Sequence, residues 1–124
     1  MIQILSVKDE NKKKELCAEA GISYSDALHI IASFDDDGKV GCSAIFRYDG
    51  QSGEILWISD AESDKELLIG LGKAVLNILD LRGVKHVQMP LALESIAIPL
   101  RFERGQEHFS LDLEGYFACG CQHN

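Results

Sequence analysis

Two stretches of this sequence bring together residue types that do chemistry. The first is Ser63-Asp-Lys-Glu-Leu-Leu-Ile-Gly-Leu-Gly-Lys-Ala-Val-Leu-Asn77, built around the pair Gly70-Leu-Gly72. Glycines just ahead of a helix let backbone N–H groups close on an oxyanion, and the positive end of the helix adds to the attraction. The same residues also read as an ordinary helix. Ser63-x-x-Glu66 is a capping box that starts it near Asp64. The polar positions Glu66, Gly70, Lys73, Asn77 and Asp80 then fall on one stripe of that helix. On this second reading Gly70 sits roughly 9 Å beyond the first turn at 1.5 Å per residue, and Asp60, Glu62, Asp64 and Glu66 put carboxylates where an anion would dock. The second stretch, Cys119-Gly-Cys121-Gln-His123, offers two thiolates and an imidazole, all common zinc ligands. A closed site needs a fourth ligand, and the paired C-x-x-C spacing of zinc modules is missing. No metal is therefore assigned, and a thiol pair or a plain tail stays open.

The elements that must position these residues can be read from periodicity and turn chemistry. Ile2 to Val7 reads as a buried strand and Asp9 to Ala20 as a Lys-rich helix ended by Gly21. Ala27 to Phe34, Val40 to Tyr48 and Glu54 to Ser59 read as three antiparallel strands, joined by Asp-Asp-Asp-Gly-Lys and Asp49-Gly-Gln-Ser-Gly53. A long helix over Asp64 to Arg82 follows, closed by Gly83 and apolar around most of its circumference. Lys85 to Met89 is a strand, Leu91 to Arg104 is partly helical and broken at Pro99, and His108 to Phe117 alternates as a half-exposed strand. No linker or repeat divides residues 1–124, so a single domain is expected.

Composition narrows the partners. With 12 Lys and Arg against 20 Asp and Glu, the net charge of −8 argues against nucleic acid and against an anionic membrane surface. Lys12, Lys13 and Lys14 form a local basic run that reads as a solvated helix face. No apolar run approaches the ~18 residues of a bilayer span, and the N-terminus lacks a basic region leading into a long apolar one. A cytoplasmic location is expected, with Cys17 and Cys42 as reduced, buried thiols. His29 reads as a satisfied sheet histidine.

The order strand, helix, three-strand meander, long helix, strand, short helix, strand resembles the GNAT (Gcn5-related N-acetyltransferase) fold. Ile69-Gly-Leu-Gly-Lys-Ala-Val-Leu76 is similar to the end of that family's acetyl-CoA motif, [Arg/Gln]-x-x-Gly-x-[Gly/Ala], with Leu67 at the Arg/Gln position. Arg101-Phe-Glu-Arg-Gly105 resembles its Phe-Tyr-Glu-Lys-x-Gly-Phe segment, with Phe102 at the position of the proton-donating tyrosine. Leu113-Glu-Gly-Tyr-Phe117 resembles the strand ending that commonly follows.

The resemblance implies an α/β (α+β) fold with a mixed, mostly antiparallel sheet and a long central helix packed on it. It implies acetyl-CoA as cosubstrate, with Gly70 and Gly72 as cofactor contacts and the backbone of Trp57, Ile58 and Ser59 beside the pantetheine. The implied activity is acetyl transfer to the amine of a small molecule or peptide. Glu54 is then the candidate general base, because a carboxylate or a water it orients can deprotonate an ammonium. Tyr116 is the nearest candidate acid. Leu67, Phe102 and the acidic cluster keep a second reading open: a catalytically degenerate domain of the same fold that serves in homodimer formation or in binding another ligand. A Cys/His module at the C-terminus is a third.

Overall fold

The structure is a computed structural model that describes residues 2–60 and 64–117, with Ser59 and Asp60 as backbone only. In chain order the elements are β1 (Gln3–Ser6), α1 (Glu10–Ala20), β2 (His29–Phe34), β3 (Val40–Asp49), β4 (Ser52–Asp60), α2 (Lys65–Leu81), β5 (His86–Pro90), α3 (Glu94–Ala97), β6 (Glu103–Arg104) and β7 (His108–Asp112). A 3₁₀ turn, Leu91–Leu93, leads into α3. The strands form one sheet in the order β1-β2-β3-β4-β5-β7-β6, in which β4 and β5 are parallel and every other neighbouring pair is antiparallel. This is the mixed, mostly antiparallel sheet with a long central helix that the sequence implies.

Local chemistry fixes the turns. Between β2 and β3 the Asp35 carboxylate accepts from the N–H groups of Asp37 and Lys39, both at 2.9 Å, while Gly38 takes φ 80°. Helix α1 starts where Asp9 accepts from Asn11 N–H at 2.9 Å, and it ends at Gly21 with φ 74°. Among the described residues, Asp64 caps α2: its carboxylate accepts from Leu67 N–H at 3.1 Å. Ser63, the cap read from sequence, lies outside the described residues. The helix nevertheless begins at Lys65, where the sequence places it.

The two helices cover opposite faces of the sheet. On one, α1 buries Leu16 and Cys17 against Val7, Leu28, Ile30, Ala32 and Ile45. On the other, α2 buries Leu68, Leu71, Val75, Leu76 and Leu79 against Phe46, Ile55, Ile58, Val87, Met89 and Phe109. Residues 93–102 complete this second core with Leu93, Ile96, Leu100 and Phe102. Gly72 lets α2 close on them, since a Cβ there would meet Leu100 Cδ1 at 2.7 Å.

Several boundaries differ from the sequence reading: β4 already starts at Ser52, inside the expected 49–53 turn, and β1, read as buried, is mostly exposed at the sheet edge. The last strand ends at Asp112 and not at Phe117, because Leu113 N–H turns to the Lys85 carbonyl and Gly115 takes φ 75°. The second strand starts at His29 and not at Ala27, since Leu28 N–H donates to Ser25 O in the preceding turn. Residues 91–104 contain, besides the expected short helix, the edge strand β6.

Candidate active site

The parallel pair is short. β4 and β5 share only the partners Ser52 with His86, Gly53 with Val87 and Glu54 with Gln88. Beyond that point β4 continues to Asp60 and β5 to Pro90 without pairing with each other. The β4 edge past Glu54 thus lies inside the sheet with backbone groups that no strand takes up, and such groups call for a partner. A bulge sharpens the divergence: Ile45 faces Trp57 and Phe46 faces Ile55, so Leu56 is one residue more than β3 can match.

Glu54 stands at the vertex, in the last β4–β5 pair. Ile55 and Val87 beside it point into the α2 core, so by alternation Glu54 points to the other face. There it lines a cavity of about 450 Å³ with Arg47, Asp49, Ser52, His86 and Gln88. Arg47 Nε and Nη2 donate to Glu54 Oε1 at 3.1 and 2.8 Å, leaving Oε2 without a hydrogen bond among the described residues. Asp49 and Glu54 give the cavity two carboxylates against the one guanidinium, a charge balance suited to a cationic amine.

No protein-family model and no curated protein matches the sequence. Solved structures do match. A protein of the GNAT family from Desulfovibrio desulfuricans superposes with a TM-score of 0.75 over 91% of this chain and 99% of its own, at 11% identity. The ribosomal-protein-S18-alanine N-acetyltransferase of Escherichia coli gives 0.66 over 89% and 90%, at 12% identity. A GNAT-family N-acetyltransferase from Escherichia coli, in complex with CoA, gives 0.66 over 93% and 83%, at 17% identity. The chain has the GNAT fold.

Within the GNAT fold the residues singled out from sequence are distributed as follows. Trp57, Ile58 and Ser59 lie on the part of β4 that has left β5. Trp57 is half-buried and Ile58 is buried. Gly70 and Gly72 are the sixth and eighth residues of α2. Gly72 is packed against Leu100, Ile58 and Ile96, whereas a Cβ on Gly70 would meet nothing within 4 Å. Leu67 is half-buried against the α2 core, and Asp64 takes up the amide of that same residue. Tyr116 belongs to the α2 side, where its hydroxyl donates to Leu100 O at 3.0 Å. It lines a separate cavity of about 330 Å³ with Lys73, Pro99, Arg101 and Phe117. Burial pushes its phenol pKa up, against the Arg101 charge, which lowers it. Glu54 and Tyr116 therefore lie on opposite faces of the sheet.

Cys119, Cys121 and His123 lie outside the described residues. Cys17 and Cys42 are buried thiols, and burial raises the pKa of Cys17. Among the described residues no three His, Cys, Asp or Glu side chains are placed to hold a metal ion, and no helix is long and apolar enough to cross a membrane. Sequence reasoning passed over His86 and Gln88. Their signal, alternation against the buried Val87 and Met89, was present, but the cavity needs the parallel pairing to bring them beside Glu54.

Proposed function

We propose that this chain is an N-acetyltransferase that moves the acetyl group of acetyl-CoA to an amine of a small molecule or peptide. The observation that carries the reading is the position of Glu54, at the last pair before β4 and β5 part and facing the open cavity. The unpaired β4 edge suits the amides of a pantetheine arm, flanked by the backbone of Trp57, Ile58 and Ser59. Acetyl-CoA supplies the acetyl group as a thioester. The acceptor enters from the face opposite α2, because Ile55, Val87 and Met89 fill the other. Asp49 holds its ammonium, and Glu54, through the oxygen that Arg47 leaves unbonded, takes a proton from it so that the lone pair can attack the thioester carbonyl; the C–S bond then breaks and CoA leaves as the thiolate, which takes its proton from water. Tyr116, on the far face, has a structural part in this scheme, holding the Leu100 carbonyl.

A second reading, a degenerate domain of the same fold that dimerises or binds another ligand, draws on α2. Its first turn is capped by its own carboxylate, and its glycines lie too far along to cradle a pyrophosphate. Calorimetry with acetyl-CoA tests both. Saturable binding and a raised melting temperature are expected, since a ligand that favours the native state must stabilise it. Glu54→Gln should keep that binding and lose acetyl transfer to a polyamine. Absence of any heat or shift at millimolar acetyl-CoA refutes the transferase. Binding without transfer to any amine, together with a dimer in sedimentation, supports the second reading.

A further inference from the structure

We propose that a cavity at the C-terminal end of α2 binds a phosphate-type oxyanion through Lys8, Lys13 and Arg82, against a wall formed by His29 and Tyr48. This cavity borders the one at Glu54, since Tyr48 lines both, but shares none of its charged side chains, and it lies at the opposite end of α2 from Asp64. Arg82 follows Asp64 by eighteen residues, about 27 Å along the helix at 1.5 Å per residue.

The cavity measures about 210 Å³ and draws its lining from four parts of the chain: the β1–α1 connection with α1, β2, β3 and α2. Lys8 and Lys13 come from the first, His29 from β2, Phe46 and Tyr48 from β3, and Arg82 from the end of α2. At ~30 Å³ per liquid water it has room for a phosphate group and a few waters. No Asp or Glu lines it, although acids outnumber bases by 20 to 12 in this chain.

Among the described residues the cations that line it have no ion pair. Ion pairs among the described residues go to Lys12, Lys14, Arg47 and Arg104. Lys8, Lys13 and Arg82 have none. The basic run of α1 is thereby divided: Lys12 pairs with Glu15 and Lys14 with Glu10, both on their own helix, while Lys13 turns to the cavity.

Like charges brought together without counter-ions repel, and an oxyanion removes that repulsion. A guanidinium matches two phosphate oxygens at once and an ammonium takes a third. His29 is stacked on Tyr48 with ring centroids 5.1 Å apart and lies 5.6 Å from the Phe46 ring, so its face is fixed and its edge is free to donate. Partial burial, then the charges of Lys13 and Arg82, hold its pKa below the ordinary value of 6.5. The groups that act on it therefore come from α1 and α2 as well as from its own sheet.

The test uses the full chain and reads the His29 ring proton by NMR, assigned with His29→Gln. Inorganic phosphate is added at constant ionic strength balanced with chloride. The expected result is a saturable shift and a higher His29 titration midpoint, because the bound dianion offsets Lys13 and Arg82. In Lys13→Gln/Arg82→Gln, whose exposed or half-exposed side chains support no core, phosphate affinity should fall at least tenfold. Phenyl phosphate distinguishes the sources: tighter binding than inorganic phosphate identifies an esterified ligand lying on the aromatic wall, and equal or weaker binding identifies the free anion. A response that does not saturate, that chloride reproduces, or that the double variant retains overturns the proposal.

Discussion

Gly70 and Gly72, two residues apart on one helix, are expected to respond to alanine with opposite signs. In a helix interior Gly→Ala gains ~0.5–1 kcal/mol from backbone entropy. At Gly70 that gain is unopposed, since an added Cβ would meet nothing within 4 Å. At Gly72 the new Cβ would lie 2.7 Å from Leu100 Cδ1. Leu100 is 0% exposed and has no solvent to swing into, so overpacking of ~1–3 kcal/mol applies. The net effect at Gly72 is a loss of about 1 kcal/mol, within a range of ~0–2.5 once the entropic gain is subtracted.

The difference between the two variants cancels the shared gain and leaves the clash alone, ~1–3 kcal/mol. At ~2.1 cal/mol/K per residue, unfolding 124 residues carries an entropy of about 260 cal/mol/K, so Gly72→Ala should melt ~4–12 °C below Gly70→Ala. Chemical denaturation of both, with and without Leu100→Ala, measures it. In the Leu100→Ala background Gly72→Ala should become neutral or stabilising, because the clashing atom has gone. The reasoning fails if Gly72→Ala stabilises the unaltered protein as much as Gly70→Ala does.

Three further outcomes follow from contacts described above. Asp64→Ala should cost about 1 kcal/mol by freeing Leu67 N–H, whereas Asp64→Asn, which still caps, should stay near neutral and bind acetyl-CoA more tightly by removing a carboxylate from the helix start. Denaturation curves and calorimetry check the pair. Tyr116→Phe removes the hydrogen bond to Leu100 O and should cost about 1–2 kcal/mol, with any acetyl transfer unchanged. His29 has a lowered pKa in the folded state, so the unfolded chain binds its proton first. Stability is then full above the ordinary 6.5 and declines as pH falls from there through the lower folded value. His29→Gln should flatten that part of the pH–stability curve.

The succession of elements was legible because each boundary has local chemistry. Asp35 and Gly38 make the first turn, Gly21 ends α1, and the apolar circumference of Leu68 to Leu79 announces a helix covered on most sides. The start of α2 was legible too, from the Ser63-x-x-Glu66 capping box, although among the described residues Asp64 is the side chain that caps it. The C-terminal strand was overextended because alternation continues through Tyr116, while the stop depends on a left-handed Gly115 and a hydrogen bond to Lys85. β6 has two residues, too few to show a period. The cavities were not legible. Lys8, Lys13, His29 and Arg82 are separated by up to 74 positions and meet only through the pairing of β1 with β2, of β2 with β3, and the return of α2. Tyr116 and Glu54 look equivalent as candidates in a sequence, and only the sheet shows that they face opposite sides.

The bulge in β4 makes Leu56 a removable part. Ile55 and Ile58 both face α2, three positions apart, and Leu56 and Trp57 both face away. Taking out Leu56 alone would leave Ile55, Trp57 and Ile58 on the faces they hold now and restore a regular ladder with β3. Removing Trp57 would restore the same ladder with Leu56 in its place, whereas removing Ile58 or Ser59 would turn a side chain that now faces one side of the sheet to the other. A one-codon deletion at Leu56 is therefore expected to give a folded protein whose β4 runs straight, with the extra twist of the bulge lost. Such a variant would show whether the scaffold stands independently of the bulge.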